Sequence, residues 1–208
     1  MRNGTAELRE KASKQNYPGF NFPLTFAPLQ EKHTDLMMAA IWKSHHRIRD
    51  YFGWAKNVRG WSNQDFAQFV KDHVNDTAPN QHYIFMIGDE MVGLGSLVYA
   101  YSDYDIQIAL WTTTGYEGKG IGKAIVDTLT YIAFHVWGYP VIFYEVDVQN
   151  PISKKLPSKC GFTFSHTREL DKQAQKESGF WMSWRKFRPE GLPDGIFQGR
   201  PIEEFTIP

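Results

Sequence analysis

One glycine-rich segment constrains this chain more than any other feature of its sequence. Residues 115–123 (Gly-Tyr-Glu-Gly-Lys-Gly-Ile-Gly-Lys) follow a predicted strand and lead directly into a predicted amphipathic helix. The first turn of such a helix leaves backbone N–H groups without intrahelical partners, and the helix dipole adds positive potential there. Glycines let a ligand lie against the backbone. The segment therefore predicts a binding site for a phosphate or diphosphate group.

The spacing of the glycines excludes two of the ligand classes that use such a turn. For a P-loop, the interval from Gly118 to Gly122 is one residue too short, and Ala124 stands where a hydroxyl is needed. For a dinucleotide-binding turn, Lys123 replaces the third glycine, and the segment lies in mid-chain rather than in an opening βαβ unit.

Hydrophobic periodicity predicts the order β-α-α-β-β-β-α-β-α-β-β. One mixed α+β sheet accommodates this order without a domain boundary. We expect an N-terminal arm at 1–20, a single domain at 21–187 and an extended C-terminal tail at 188–208. The predicted strands are 22–29, 82–87, 91–101, 104–112, 141–148, 162–164 and 180–187, and the predicted helices are 34–51, 62–74, 121–136 and 150–159.

The amino-acid composition limits the classes of binding partner and the cellular compartment that we expect for this protein. Lys plus Arg and Asp plus Glu both number 23, so the formal net charge is zero, which argues against a protein that coats nucleic acid. The only cysteine, Cys160, cannot form an internal disulfide, and its place before Gly161 suggests a small buried residue. No segment approaches the length of an apolar membrane span. We expect a cytoplasmic protein that contacts neither nucleic acid nor membrane.

The sequence gives little support for a metal site or for serine-hydrolase chemistry. His45 and His46 are adjacent and point in different directions on a helix, and the chain contains no H-x-x-x-H pair, so we expect no metal. The chain also lacks the G-x-S-x-G turn of serine hydrolases. Of the tryptophans near the first helices, we expect Trp42 in the core, whereas Trp54 is equally compatible with core and pocket.

A third class of diphosphate-binding turn matches better. The stretch Glu117-Gly118-Lys119-Gly120-Ile121-Gly122 is similar to the [QR]-x-x-G-x-[GA] motif of GNAT-superfamily N-acetyltransferases, with Glu117 in place of Gln or Arg. That acid is expected to weaken the electrostatics of the loop without removing its N–H donors.

A second match lies downstream, in residues 150–162. It resembles the pattern N-x-x-S-x-x-[LV]-x-x-[KR]-x-G-F of the ribosomal-protein N-terminal acetyltransferase (Rim-type) branch, beginning with Asn150 and Ser153. Trp54 and Gly93 also fall where family members have these residue types. The resemblance covers roughly residues 22–187. It implies the GNAT fold: an α/β three-layer sandwich whose mostly antiparallel sheet has a central V-shaped split between parallel strands.

The resemblance also implies site residues. Acetyl-CoA would enter the split as co-substrate, Ser153 would hydrogen-bond the leaving thiolate beside Asn150, and Trp54 would contact the acceptor amine. One backbone N–H of the strand before the loop would polarise the thioester carbonyl. The backbone would bind pantetheine at Leu110, Trp111 and Thr112, and diphosphate at Glu117, Gly118, Lys119, Gly120, Ile121, Gly122 and Lys123.

The general base is not fixed by the sequence. Gln107 stands where the related branch often has Glu, and Pro157 replaces the tyrosine that many members use as an acid. Glu145 is our catalytic candidate. Asp105, Asp147, His45 and His46 remain open alternatives.

A weak base favours an acceptor that loses its proton easily. At pH 7 about one α-amine in ten is neutral, against about one lysine in 2,500. We therefore expect an α-amine of a peptide, or a small-molecule amine of lowered pKa. Two alternatives remain open: a non-catalytic acyl-CoA-binding module, and an acyltransferase with another acyl donor or acceptor. The C-terminal tail is a candidate contact in a homodimer.

Overall fold

The computed structural model describes residues 24–75, 80–99, 106–169 and 179–192. They form one seven-stranded sheet in the order β1-β2-β3-β4-β5-β7-β6. The strands are β1 Leu24–Pro28, β2 Gln81–Ile87, β3 Glu90–Tyr99, β4 Ile106–Thr112, β5 Val141–Asp147, β6 Thr163–Glu169 and β7 Phe180–Phe187. The helices are α1 Thr34–Ile48, α2 Asn63–Val74, α3 Ile121–Tyr131 and α4 Leu156–Lys159.

The sheet is antiparallel except between β4 and β5, which are parallel. One face carries α3, whose buried side chains include Ile125 and Leu129. The other face carries α1, α2 and the 3-10 helix Gly53–Gly60, packed on residues such as Leu94 and Trp111. Strands covered on both faces explain the apolar runs of β3 and β5, and the expected mixed, mostly antiparallel α+β sheet with one parallel pair is confirmed.

Three of the helices differ from the predictions. Helix α1 ends at Ile48 rather than at 51, because the chain turns there and brings Phe52 against the core below α1. The predicted helix at 150–159 consists of a 3-10 turn, Ser153–Lys155, followed by α4, because Pro157 lacks the N–H that a longer regular helix would need. Helix α3 passes into a π-helical turn at Ile132–Val136.

Predictions for residues 1–20 and 193–208, and for Asp105 as a base, lie outside the described residues. None of the helices that the structure describes is long and apolar enough to cross a membrane.

Candidate functional site

Strands β4 and β5 separate partway along their length. Their parallel pairing joins only residues 106–108 to residues 142–144, although β4 continues to Thr112 and β5 to Asp147. Beyond Ile108 and Tyr144 the two strands therefore carry facing edges that do not pair with each other. This opening lies between the two parallel strands, where the resemblance implies the split.

Strand alternation decides which backbone groups face the opening. Thr113 N donates to Val92 O, so on β4 the odd-numbered residues point their backbone groups toward β3. Even-numbered Leu110 and Thr112 point theirs toward the opening. Trp111, predicted with them, directs its backbone to β3 and buries its side chain on the α1 face.

The glycine-rich loop follows β4 and ends at the N-terminus of α3. Gly118 and Gly120 have φ of 71° and 86°, values that side-chain-bearing residues adopt at a cost. Gly120 is the N-cap of α3 and supplies no side-chain cap, and the first turn contains no acidic residue. A Cβ at Gly118 would meet no atom within 4 Å. The loop thus offers open space beside helix-terminal N–H groups, an arrangement that fits a diphosphate.

Glu117 is neutralised by a residue from outside the loop. Its Oε1 accepts from Arg47 Nη1 of α1, and its Oε2 accepts from Gly115 N at 2.7 Å. Partial burial lowers the pKa of Arg47 from its usual value, but a guanidinium remains a cation near neutral pH. The expected electrostatic penalty of Glu117 is therefore offset by Arg47.

A second cluster holds the loop against the start of β3. The Tyr116 hydroxyl donates to Glu90, and this bond raises the pKa of Tyr116 to about 12 while lowering that of Glu90. The ammonium groups of Lys43 and Lys119 each lie 5.3 Å from the centre of the Tyr116 ring. Lys123, the last residue of the predicted diphosphate loop, pairs with Asp127 one turn along α3.

Asn150 and Ser153 follow β5, across the opening from the loop. Asn150 Oδ1 accepts from Ser153 N, the first residue of the 3-10 turn, at 3.0 Å. Tyr144 is a buried residue of β5. Burial raises the pKa of its hydroxyl, and hydrogen bonding with the Ser153 side chain opposes part of that rise. Tyr144 therefore stays protonated near neutral pH.

Glu145 is held in a bidentate ion pair. Arg168 Nε and Nη2 lie 3.0 and 2.6 Å from the two carboxylate oxygens, and the Glu145 side chain is only 2% exposed. Both carboxylate oxygens of Glu145 are therefore engaged by one guanidinium, in the bidentate arrangement that makes such pairs strong. Asp147, another candidate base, is also buried, and its Oδ1 accepts from Gln149 N at 2.6 Å.

The remaining candidate residues divide between the surface and the core. His45 is buried and its two ring nitrogens have no hydrogen-bond partner among the described residues, whereas His46 is exposed. Trp54 is half-buried and lies 4.9 Å from Phe69, centre to centre. The expectation that Trp42 lies in the core was wrong, because it is 43% exposed. Cys160 is buried, as expected.

Sequence reasoning missed Arg47, Tyr144 and Arg168. Arg47 and Arg168 lie 70 and 23 positions from the acids that they pair with, so no local spacing indicated either pair. Only Tyr144 had a usable signal, since the alternation of β5 places it on the same face as Ile142 and Val146.

The chain belongs to the acetyltransferase (GNAT) domain family, whose model matches residues 23–163. No curated protein matches the chain at a significant level.

Three solved structures with the same fold share 14–16% sequence identity with this chain. RimL, described as the ribosomal L7/L12 alpha-N-protein acetyltransferase in complex with coenzyme A, has 14% identity and a TM-score of 0.70, covering 83% of this chain and 97% of its own. Microcin C7 self-immunity acetyltransferase MccE, in complex with acetyl-CoA and AMP, has 16% identity and a TM-score of 0.69, covering 79% and 92%. Spermidine N-acetyltransferase from Vibrio cholerae, in complex with CoA and spermine, has 15% identity and a TM-score of 0.63, covering 79% and 95%.

Proposed function

We propose that this protein transfers the acetyl group of acetyl-CoA directly to a primary amine, with an α-amine preferred. The observation that carries the proposal is the coincidence of two features at one end of β4. The sheet opens between β4 and β5, and the open glycine loop at the N-terminus of α3 follows immediately. Structural neighbours described with CoA or acetyl-CoA, and the family itself, support the donor.

Each part of the opening has a proposed role. N–H groups of the loop and of the first turn of α3, from Glu117 to Lys123, would hold the diphosphate. Backbone groups of Leu110 and Thr112 would hold the pantetheine arm, with one N–H polarising the thioester carbonyl. Ser153, supported by Asn150 and Tyr144, would donate a hydrogen bond to the departing sulfur. Trp54 would contact the acceptor.

Acetyl-CoA supplies the acetyl group as an activated thioester. In the transfer, the amine nitrogen forms a bond to the carbonyl carbon and the carbon–sulfur bond breaks. The nitrogen loses a proton and the departing thiolate gains one near Ser153. Because Arg168 holds Glu145, this site favours amines that are already partly neutral at pH 7, such as peptide N-termini.

Binding of the donor is testable by thermal stability. At 100 times its dissociation constant, acetyl-CoA should add about 2.7 kcal/mol to the free energy of unfolding, and ATP at the same concentration should add far less. Gly118→Val should fold but lose most of this stabilisation, because its side chain enters the open space of the loop and strains a positive φ. Gly179→Val, with φ of 75° and equally open surroundings, is the matched control and should keep it. Equal ligand shifts in the two variants would contradict the proposed loop.

Acceptor choice is testable with two peptides of the same sequence, one with a free α-amine and a methylated lysine, the other N-blocked with a free lysine. Thiol release from acetyl-CoA should be at least tenfold faster with the free α-amine. Faster lysine modification would reject the α-amine preference. Stabilisation by acetyl-CoA with no thiol release on any amine would favour the non-catalytic binding module instead.

A further inference from the structure

Two hydrogen-bonded contacts connect helix α1 to the loop that follows β4. Arg47 pairs with Glu117, and one turn earlier the Ser44 Oγ accepts from Thr114 N at 2.9 Å. The side chains of Arg47 and Glu117 are each about one third exposed, so the pair lies near the protein surface rather than in the core.

Glu117 also bends back onto its own loop. While one carboxylate oxygen meets Arg47, the other accepts from Gly115 N, two residues earlier. The carboxylate therefore bridges a helix on one side of the sheet and a backbone N–H of the loop. The positive φ values of Gly115 and Gly118 lie on either side of this bridge.

Charge explains why such a bridge matters at this position. Glu117 alone would put one negative charge next to the site proposed for an anionic diphosphate, and like charges at close range repel. Paired with Arg47, the position has no net charge, which is also what a neutral glutamine would provide. The acid is tolerated because Arg47, which comes from a distant part of the chain, supplies the compensating positive charge.

We propose that Arg47 is a positioning residue for acetyl-CoA, which acts by neutralising Glu117 and fixing the loop that receives the diphosphate; this inference rests on the proposed function. Arg47 acts through Glu117, so the consequences of losing Arg47 depend on whether the acid is present.

A double-mutant cycle measured by calorimetric titration with acetyl-CoA tests this dependence. Arg47→Ala should raise the dissociation constant about tenfold, whereas Glu117→Gln should stay within about threefold of the unmodified protein. The double variant Arg47→Ala with Glu117→Gln should recover most of the loss, because no unpaired acid remains. Arg49→Ala is the matched control. Arg49 is the C-cap residue of the same helix, is exposed, and forms its ion pair with its neighbour Asp50 rather than with the loop. This variant should leave binding unchanged.

Two further measurements separate electrostatic positioning from general damage. The loss in Arg47→Ala should shrink when salt is raised from about 20 mM to 500 mM, because salt screens repulsion at a partly exposed site. With S-acetyl-pantetheine, which lacks the diphosphate, kcat/KM should be the same in Arg47→Ala and the unmodified protein. If Arg47→Ala does not fold, Arg47→Gln takes its place and should show the same pattern.

Each outcome has one meaning. A double variant as weak as Arg47→Ala alone, or Arg47→Ala binding as tightly as the unmodified protein, would overturn the inference and leave the proposed function standing. Failure of the unmodified protein to bind acetyl-CoA at all would instead overturn the proposed function.

Discussion

Replacing Arg168 by alanine should lower the free energy of unfolding by about 3–5 kcal/mol, because the change leaves the buried Glu145 carboxylate without its guanidinium partner. The Glu145 side chain is 2% exposed and accepts two hydrogen bonds from Arg168, so water cannot easily take the place of the lost partner. Urea denaturation followed by circular dichroism measures the change. The midpoint should fall while the slope stays constant.

Two further variants distinguish the contribution of the ion pair to stability from the effect of shortening a strand side chain. Glu145→Leu with Arg168→Leu removes both charges and should recover most of the lost stability, since a buried pair can often be replaced by apolar groups at little cost. Arg185→Ala, on the exposed surface of β7 above the Phe187 ring, should cost less than about 1 kcal/mol. Should Arg168→Ala cost no more stability than Arg185→Ala, the ion pair contributes nothing to stability and no longer argues against Glu145 as a candidate base.

The fold was largely predictable because its elements have strong local signals. Helix α3 follows the 3.6-residue period through Ile121, Ile125 and Leu129, all buried. The capping box at Ser62 and Asp65 begins α2, with Ser62 N donating to the Asp65 carboxylate. In each pattern the interacting residues are only a few positions apart along the chain, and this is the range over which sequence alone is informative.

Strand β6 shows where local patterns fail. The sequence predicted it only at 162–164, whereas it runs from Thr163 to Glu169 and contains mostly polar, exposed residues. Its length is determined by pairing with β7, from Thr163 opposite Arg185 to Glu169 opposite Phe180. Because an edge strand need not bury either face completely, its residues carry little hydrophobic signal.

The backbone conformation of the candidate site was predictable from the sequence, whereas its ion pairs were not. The glycine spacing indicated the loop, and the loop ends at the helix N-terminus as expected. The electrostatics depend on Arg47 and Arg168, which reach their acids only after the sheet has formed. A local pattern therefore overstated the penalty of Glu117 and left Glu145 looking like a free base.

Gly93→Ala should destabilise the protein by about 2–3 kcal/mol and also weaken acetyl-CoA binding. A Cβ at Gly93 would lie 2.8 Å from Ile125 Cδ1 and 2.9 Å from the carbonyl oxygen of Trp111. A backbone oxygen cannot rotate away as a side chain can, so the backbone of β4 must shift. The shift occurs near Thr112, which pairs with Gly93 on the neighbouring strand. That shift moves the strand edge proposed to hold the pantetheine arm, and we expect the dissociation constant for acetyl-CoA to rise at least fivefold.

Gly95→Ala provides the comparison that isolates the effect on the site. Its Cβ would lie 2.5 Å from Ile125 Cγ2 and 3.0 Å from Leu129 Cδ1, so it crowds α3 but meets only side chains. We expect a comparable loss of stability with acetyl-CoA affinity within about twofold of the unmodified protein, because β4 need not move. Gly60→Ala, where a Cβ meets nothing within 4 Å, should change neither quantity. If Gly93→Ala and Gly95→Ala lower affinity equally, the position of β4 does not control donor binding, and the proposed roles of Leu110 and Thr112 are wrong.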